Sequence, residues 1–239
     1  MPIFQLPNEI VFPHVNLTHE SGILAIGGDL STERLLAAYA EGIFPWYSEG
    51  DPILWWCPDP RFVLRPGEVK VSKTMRQVFN RNIFRVTFDR AFREVITACR
   101  IPRKSQAGTW ITDEMLEAYC TLHENGYAHS VEAWRGDELA GGLYGVSLGG
   151  MFFGESMFTR ESNASKAALI VLARALGERG FDMIDCQVYT AHLESLGAHD
   201  MARDEFIKVL RKSLERGTLR GSWDGDMVPS GNIFNGSKE

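Results

Sequence analysis

Apolar and polar residues alternate along residues 127–135, the two-residue period of a strand with one buried face. Gly136-Asp137 interrupts the pattern as a turn. Residues 139–148 resume it with interspersed glycines, Gly149-Gly150 makes a second turn, and residues 151–158 supply a third strand. Turns this short join antiparallel neighbours. Gly141, Gly142 and Gly145 lie inside a strand, where glycine marks a bulge or a close approach. From Ser162-Asn163 the period turns helical, with Leu169, Leu172, Ala173 and Leu176 inward and Gly180 as the stop. Residues 181–188 then read as a strand again. Strand, helix, strand is a βαβ unit, and ligands bind beyond the carboxyl ends of such strands.

The same periods place the rest of the chain. Ser31 can cap a helix reaching about Glu41, with Glu33 in its first turn, Leu35, Leu36 and Tyr39 on its apolar face and Gly42 at its end. Ser72 can cap a second, carrying Met75, Val78 and Phe79. Residues 84–88 read as a strand, and Phe92, Val95, Ile96 and Cys99 recur at helical spacing. Thr112 can cap a helix with Met115, Tyr119 and Leu122, closed by Gly126, and a last helix spans about residues 204–216. Residues 42–60 follow no such period: Trp46, Trp55 and Trp56 fall there among four prolines. They make either a small aromatic core or a rigid stacking surface for a nucleobase. Trp55 and Trp56 read as core, and Trp46 is open to both. Pro58, Pro60 and Pro66-Gly67 place a boundary near residues 60–66.

Two apolar runs carry polar groups that need a reason. Glu155 sits within Phe152-Phe153-Gly154-Glu155-Ser156-Met157-Phe158, and Asp185 and Gln187 within Met183-Ile184-Asp185-Cys186-Gln187-Val188. A buried carboxylate is costly unless paired. On a regular strand Asp185 and Gln187 share a face and Cys186 points away, which makes a nucleophilic Cys186 the minor reading. His192 could act as a base but reads more simply as a loop residue at a helix start. No phosphate-binding loop, dinucleotide fingerprint or nucleophile elbow is present.

Composition changes the picture in one place. The net charge is −6, yet residues 61–104 hold twelve Lys/Arg against three Asp/Glu, so the remainder carries −15. This is either a basic stripe for a polyanion beside an acidic region for a cation, or a solvated face. Cys57, Cys99, Cys120 and Cys186 stand far apart, as reduced thiols of a cytoplasmic protein rather than a disulfide frame or zinc site. No apolar stretch is long enough to span a membrane, and no signal peptide is expected.

Gly27-Gly28-Asp29-Leu30, Gly42-Ile43-Phe44-Pro45-Trp46, Leu54-Trp55-Trp56, Pro58-Asp59-Pro60-Arg61, Gly108-Thr109-Trp110-Ile111-Thr112, Gly154-Glu155-Ser156-Met157-Phe158 and Ile184-Asp185-Cys186-Gln187 occur in this order. Through them the chain resembles, over nearly its whole length, the leucyl/phenylalanyl-tRNA–protein transferase family. The resemblance implies an α+β fold: a small N-terminal α/β domain (1–63) and a C-terminal acetyltransferase-like (GNAT) mixed sheet flanked by helices (64–239). It implies transfer of Leu or Phe, less readily Met, from aminoacyl-tRNA to an N-terminal Arg or Lys, which marks the acceptor for degradation. Aminolysis of an ester is downhill, so no cofactor or metal is expected.

The resemblance puts Asp185, Gln187 and Glu155 at the reaction centre. Gln187 would accept a hydrogen bond from the amine, Asp185 would orient it or take the proton, and Glu155 would fix a bound substrate. Leu143, Phe152, Met157, Leu169, Leu172 and Leu176 would form the aminoacyl pocket, Trp46 and Trp110 would stack on the terminal adenosine, and Lys70, Lys73, Arg76, Arg81, Arg85 and Arg90 would hold tRNA phosphates. The family pattern is more densely basic where this chain has Gln77 and Asn80. A monomer is the default expectation. Two rivals remain: an acyl-CoA acetyltransferase, which wants a glycine-rich turn where Arg160-Glu161-Ser162-Asn163 stands, and a non-catalytic RNA-binding module, which leaves Glu155, Asp185 and Gln187 without a task.

Overall fold

A computed structural model of the chain describes residues 2–101, 111–225 and 227. The first five elements are β1 (Phe4–Gln5), β2 (Ile23–Ile26), α1 (Thr32–Ala40), β3 (Phe44–Pro45) and β4 (Leu54–Trp56). Their strands form a four-stranded sheet in the order β1-β2-β4-β3. There follow β5 (Arg61–Leu64), α2 (Lys73–Asn80), β6 (Arg85–Phe88), α3 (Phe92–Arg100), α4 (Asp113–Glu124), β7 (Ala128–Arg135), β8 (Glu138–Leu148), β9 (Met151–Thr159), α5 (Ala164–Glu178), β10 (Met183–Gln187), α6 (Ala191–Glu194), β11 (His199–Met201) and α7 (Arg203–Leu214). These strands form a seven-stranded sheet in the order β11-β5-β10-β9-β8-β7-β6. The chain is therefore a mixed α/β protein that passes from the small sheet to the large one between Trp56 and Arg61. The division expected after residue 63 falls inside β5.

The expected local signals operate. Ser31, Ser72 and Thr112 accept hydrogen bonds from the backbone N–H groups of Arg34, Met75 and Met115, so each caps its helix. The start of α5 differs: Asn163 takes a left-handed φ of 73° with no side-chain cap, and Ala164 N–H instead donates to Glu161 O at 3.1 Å. The consecutive strands β7, β8 and β9 pair antiparallel, whereas β9 and β10, joined through α5, are parallel. β1 to β5 and β11 have two to four residues each, too short to register as an alternation.

The large sheet has a core on each face, because successive side chains of a strand point to opposite sides. Leu143 and Phe152 pack with α2 and α5, while Tyr144 and Phe153 pack with α1, α3, α4 and α7. Two of the strand glycines have the reasons expected of them. A side chain at Gly141 would lie 2.7 Å from the Ala164 Cβ at the start of α5, and one at Gly145 would run into the Phe153 carbonyl and the Phe152 ring. Close helix approach and tight strand packing therefore both depend on a missing Cβ.

Candidate functional site

β9 and β10 pair only at Met151–Met183, Phe152–Ile184 and Phe153–Asp185. Beyond that point both strands are irregular. Against β8, Gly154 pairs with Gly145 and Ser156 with Tyr144, which leaves Glu155 as an extra residue. Against β5, Asp185 pairs with Val63 and Gln187 with Phe62, which leaves Cys186 as an extra residue. A bulge bends its strand, ends pairing and re-aims a side chain. Two adjacent bulges therefore open a parting between the strands, and the chain at Gln187 takes a φ of 65°, a strained region for a residue with a Cβ.

The bulge overturns the expectation that Asp185 and Gln187 share one face of a regular strand. Asp185 is fully buried, and both its oxygens are engaged by Arg61, with Nε at 2.8 Å from Oδ1 and Nη2 at 2.6 Å from Oδ2. The Arg61 guanidinium lies between the rings of Phe44 and Phe206, 4.7 Å from each centroid. Oδ1 also receives the Gln187 backbone N–H at 2.9 Å, so Asp185 holds the strained turn in place. Burial opposes charge on Arg61, but Asp185 outweighs it and holds the guanidinium above its ordinary value.

Gln187 and Glu155 face each other across the parting. Gln187 Nε2 donates to Glu155 Oε1 at 2.8 Å. Tyr39 O–H donates to the same oxygen at 2.8 Å, and Tyr119 O–H donates to Oε2 at 3.0 Å. Both tyrosines are fully buried. Burial pushes the Glu155 carboxyl up to about 7, against the lowering effect of these hydrogen bonds. Tyr39 and Tyr119 were legible in the sequence only as apolar-face positions. Nothing in helical periodicity separates a packed ring from a ring whose hydroxyl holds a carboxylate.

The parting opens into a cavity of about 680 Å³. Four of the expected aminoacyl-pocket residues, Leu143, Phe152, Met157 and Leu169, line it together with Glu155 and Gln187. Leu172 and Leu176 do not; they are buried in the core between α5 and the sheet. Cys186 lines the cavity rather than pointing away, and burial, followed by the Asp185 charge, pushes its thiol far up, which disfavours the nucleophilic thiolate. His192 and Ser156 line the cavity as well. Among the described residues no cluster of three or more His, Cys, Asp or Glu could hold a metal ion, and no helix is long and apolar enough to cross a membrane.

The stacking and phosphate residues lie elsewhere. Trp46 is 39 % exposed, with its ring 5.3 Å from that of Trp56, and does not line the cavity. Trp110 lies outside the described residues, as do Arg103 and Lys104. Lys70, Lys73, Arg76, Arg81, Arg85 and Arg90 are all exposed, along α2, β6 and the segments flanking them. The twelve basic residues of 61–104 are partly offset by acids elsewhere in the chain: Arg61 by Asp185, Arg90 by Asp224, Arg93 by Glu117 and Arg100 by Asp113.

An apolar cavity that ends on a hydrogen-bonded carboxyl and amide, carried by two bulged strands, is an arrangement able to bind an apolar group and orient it by a few polar contacts. Comparison with known proteins names the group. Residues 63–211 match the family model described as leucyl/phenylalanyl-tRNA protein transferase, and residues 28–59 match the model of that family's N-terminal domain. Proteins named leucyl/phenylalanyl-tRNA–protein transferase from Syntrophus aciditrophicus (strain SB) and Myxococcus xanthus (strain DK1622) are 62 % and 55 % identical to it. Each alignment covers 93 % of this chain, and 94 % and 97 % of those proteins respectively. A solved structure titled as that of L-PGS from Bacillus licheniformis aligns with a TM-score of 0.37 and 10 % identity over 70 % of this chain and 53 % of that one, too distant to bear on the fold. The chain belongs to the leucyl/phenylalanyl-tRNA protein transferase family, whose activity is aminoacyl transfer from tRNA to protein.

Proposed function

We propose that this enzyme moves Leu or Phe, and less readily Met, from aminoacyl-tRNA to the N-terminal Arg or Lys of a protein in the cytoplasm, marking that protein for degradation. The observation that carries the reading is the apolar cavity closed by the Glu155–Gln187 pair. An unbranched-at-β apolar side chain would lie against Leu143, Phe152, Met157 and Leu169, with the ester carbonyl near Gln187. Ile and Val would be disfavoured by roughly 1–3 kcal/mol per misplaced methyl. Leu172 and Leu176 support that wall from behind.

Three tasks face the residues: the amine must be aimed, its proton removed, and the ribose 3′-oxygen given a proton as it leaves. Gln187 uses its Nε2 on Glu155, so its Oε1 is the end that receives the amine's hydrogen bond. Asp185, occupied by Arg61, is a positioning residue for the Gln187 turn rather than a proton acceptor. Trp46 is the described candidate for stacking on the terminal adenosine. Lys70, Lys73, Arg76, Arg81 and Arg85 would hold the acceptor stem by its phosphates, with Arg90 contributing less because Asp224 offsets it. The parallel β9–β10 pair with α5 between them, inside an otherwise antiparallel sheet, supports the acetyltransferase-like reading of the large sheet. The small N-terminal domain, about residues 1–63, would carry Trp46 and Tyr39 to it.

The test is transfer of radiolabelled Leu from leucyl-tRNA to a peptide beginning with Arg, beside one beginning with Ala. Label on the Arg peptide alone is the expected result. Equal labelling of both removes the acceptor assignment, and labelling of neither removes the substrates proposed here.

A further inference from the structure

Tyr39, Tyr119 and Glu155 form a closed ring. Tyr39 O–H reaches Glu155 Oε1, Tyr119 O–H reaches Oε2, and the two phenol oxygens are hydrogen-bonded to each other. Each contact needs one proton between its two oxygens. A phenol brings one proton, a carboxylate none, and a carboxylic acid one. With Glu155 ionised, two protons serve three contacts and one oxygen pair is bare. With Glu155 protonated, three protons fill all three. Gln187 Nε2 binds Oε1 from outside the ring and does not enter the count.

The surroundings keep the count simple. Burial, then the nearness of Glu155, pushes both phenols well above the ordinary tyrosine range, so neither loses its proton near neutral pH. Glu155 also faces Tyr144 on β8, pushed far up by burial, and the Asp185–Arg61 pair on β10 and β5, whose charges oppose each other, and it shares its cavity with Cys99, Arg160, Cys186 and His192. Burial pushes the carboxyl in the middle up to about 7.

Resting on the transfer reading above, we propose that this ring holds the proton of the reaction: Glu155 takes it from the attacking amine and returns it to the ribose 3′-oxygen, while Tyr39 and Tyr119 are positioning residues that complete the three-proton state. The neutral amine nitrogen forms the C–N bond to the ester carbonyl carbon. Its surplus proton passes to the Glu155 carboxylate and the ring fills. The bond from the carbonyl carbon to O3′ then breaks, and the proton moves from Glu155 to O3′. One proton has gone from nitrogen to oxygen, and Glu155 is a carboxylate again. Tyr39 lies on α1, so the N-terminal part of the chain supplies a member of the ring.

The test pairs a pH profile of transfer from leucyl-tRNA to an Arg-first peptide with infrared titration of the full chain, using wild type, Glu155→Gln, Tyr39→Phe and Tyr119→Phe. The wild-type kcat/KM should fall on the acid side through two groups, the peptide amine near pH ~8 and a second near 7, and a carboxyl band should titrate with the second. Glu155→Gln can fill the ring with an amide N–H but cannot pass a proton. It should stay folded, lose the band and the lower limb, and lose about 100-fold or more in kcat. Each Tyr→Phe should move band and limb together and lower kcat more than it raises KM. Wild-type transfer with no carboxyl titrating between about pH 5.5 and 9, or a Glu155→Gln enzyme that keeps the lower limb, would overturn the ring alone. Wild type that transfers to no peptide at any pH would overturn the ring together with the reading it rests on.

Discussion

Glu155 and Asp185 are two carboxyl side chains on neighbouring strands, each beside a bulge, in opposite surroundings. Asp185 is enclosed with a guanidinium that takes both its oxygens, and its remaining contact is the Gln187 backbone N–H. Glu155 meets only neutral donors, two phenols and an amide, and one side of it opens to a cavity. A fixed cation occupies both oxygens of Asp185, whereas neutral donors in a desolvated place leave the proton of Glu155 close to balance. Side-chain type is the same chemistry in both cases, and the neighbours decide which carboxyl is locked to a cation and which faces a cavity among neutral donors.

Removing Asp185 should give the largest effect. Asp185→Ala leaves the Arg61 cation buried between two aromatic rings without a counter-charge, and denaturant unfolding should show a loss of about 3–5 kcal/mol. Replacing both partners, Arg61→Met with Asp185→Leu, should hold stability within about 2 kcal/mol of wild type while transfer is lost, because the Gln187 turn is no longer held. Full stability loss in the double variant would break the contrast between the two carboxyls.

Glu155→Gln should show the opposite profile, with the chemistry impaired and the fold intact. The folded carboxyl holds its proton to about 7, against an ordinary value of 4.5, so the folded state carries an extra proton between those values. The Glu155 contribution to wild-type stability should therefore fall as pH rises from 4.5 to 7 and level off above it. The variant lacks that fall. Thermal melts should show its advantage over wild type to be about 3 kcal/mol larger at pH ~8 than at pH ~4.

Smaller effects sharpen the division between cavity and surface. Leu169→Phe narrows the cavity without touching either carboxyl, and competition between leucyl- and phenylalanyl-tRNA should shift about 10-fold toward Leu. Lys73→Ala and Arg76→Ala should each flatten the dependence of log affinity on log salt by about 0.7–0.9 in tRNA filter binding. Arg90→Ala, already matched by Asp224, should change that slope less.

The helices and the β7–β8–β9 meander were legible because local signals suffice for them: a capping hydroxyl, a period, a two-glycine turn. The glycines of β8 were legible as warnings of close approach, and Gly145 stands opposite the bulge that turns Glu155. The bulges were not legible, because a bulge is a mismatch in count between two strands and each strand alone looks regular. The role of Asp185 was hidden for a related reason. Its partner Arg61 lies 124 positions away, inside a basic run where it reads as one more surface cation. Tyr39 and Tyr119, eighty positions apart, looked like ordinary apolar-face residues.

By itself, the sequence determined the longer helices, the central strands and the family, and it singled out Glu155, Asp185 and Gln187 as polar groups in apolar runs, since periodicity, caps and motifs are properties of short stretches. Tertiary structure alone decided which carboxyl is bound to a cation and which is ringed by phenols. That decision lies in contacts between residues far apart in the chain, and in the burial that makes the contacts strong.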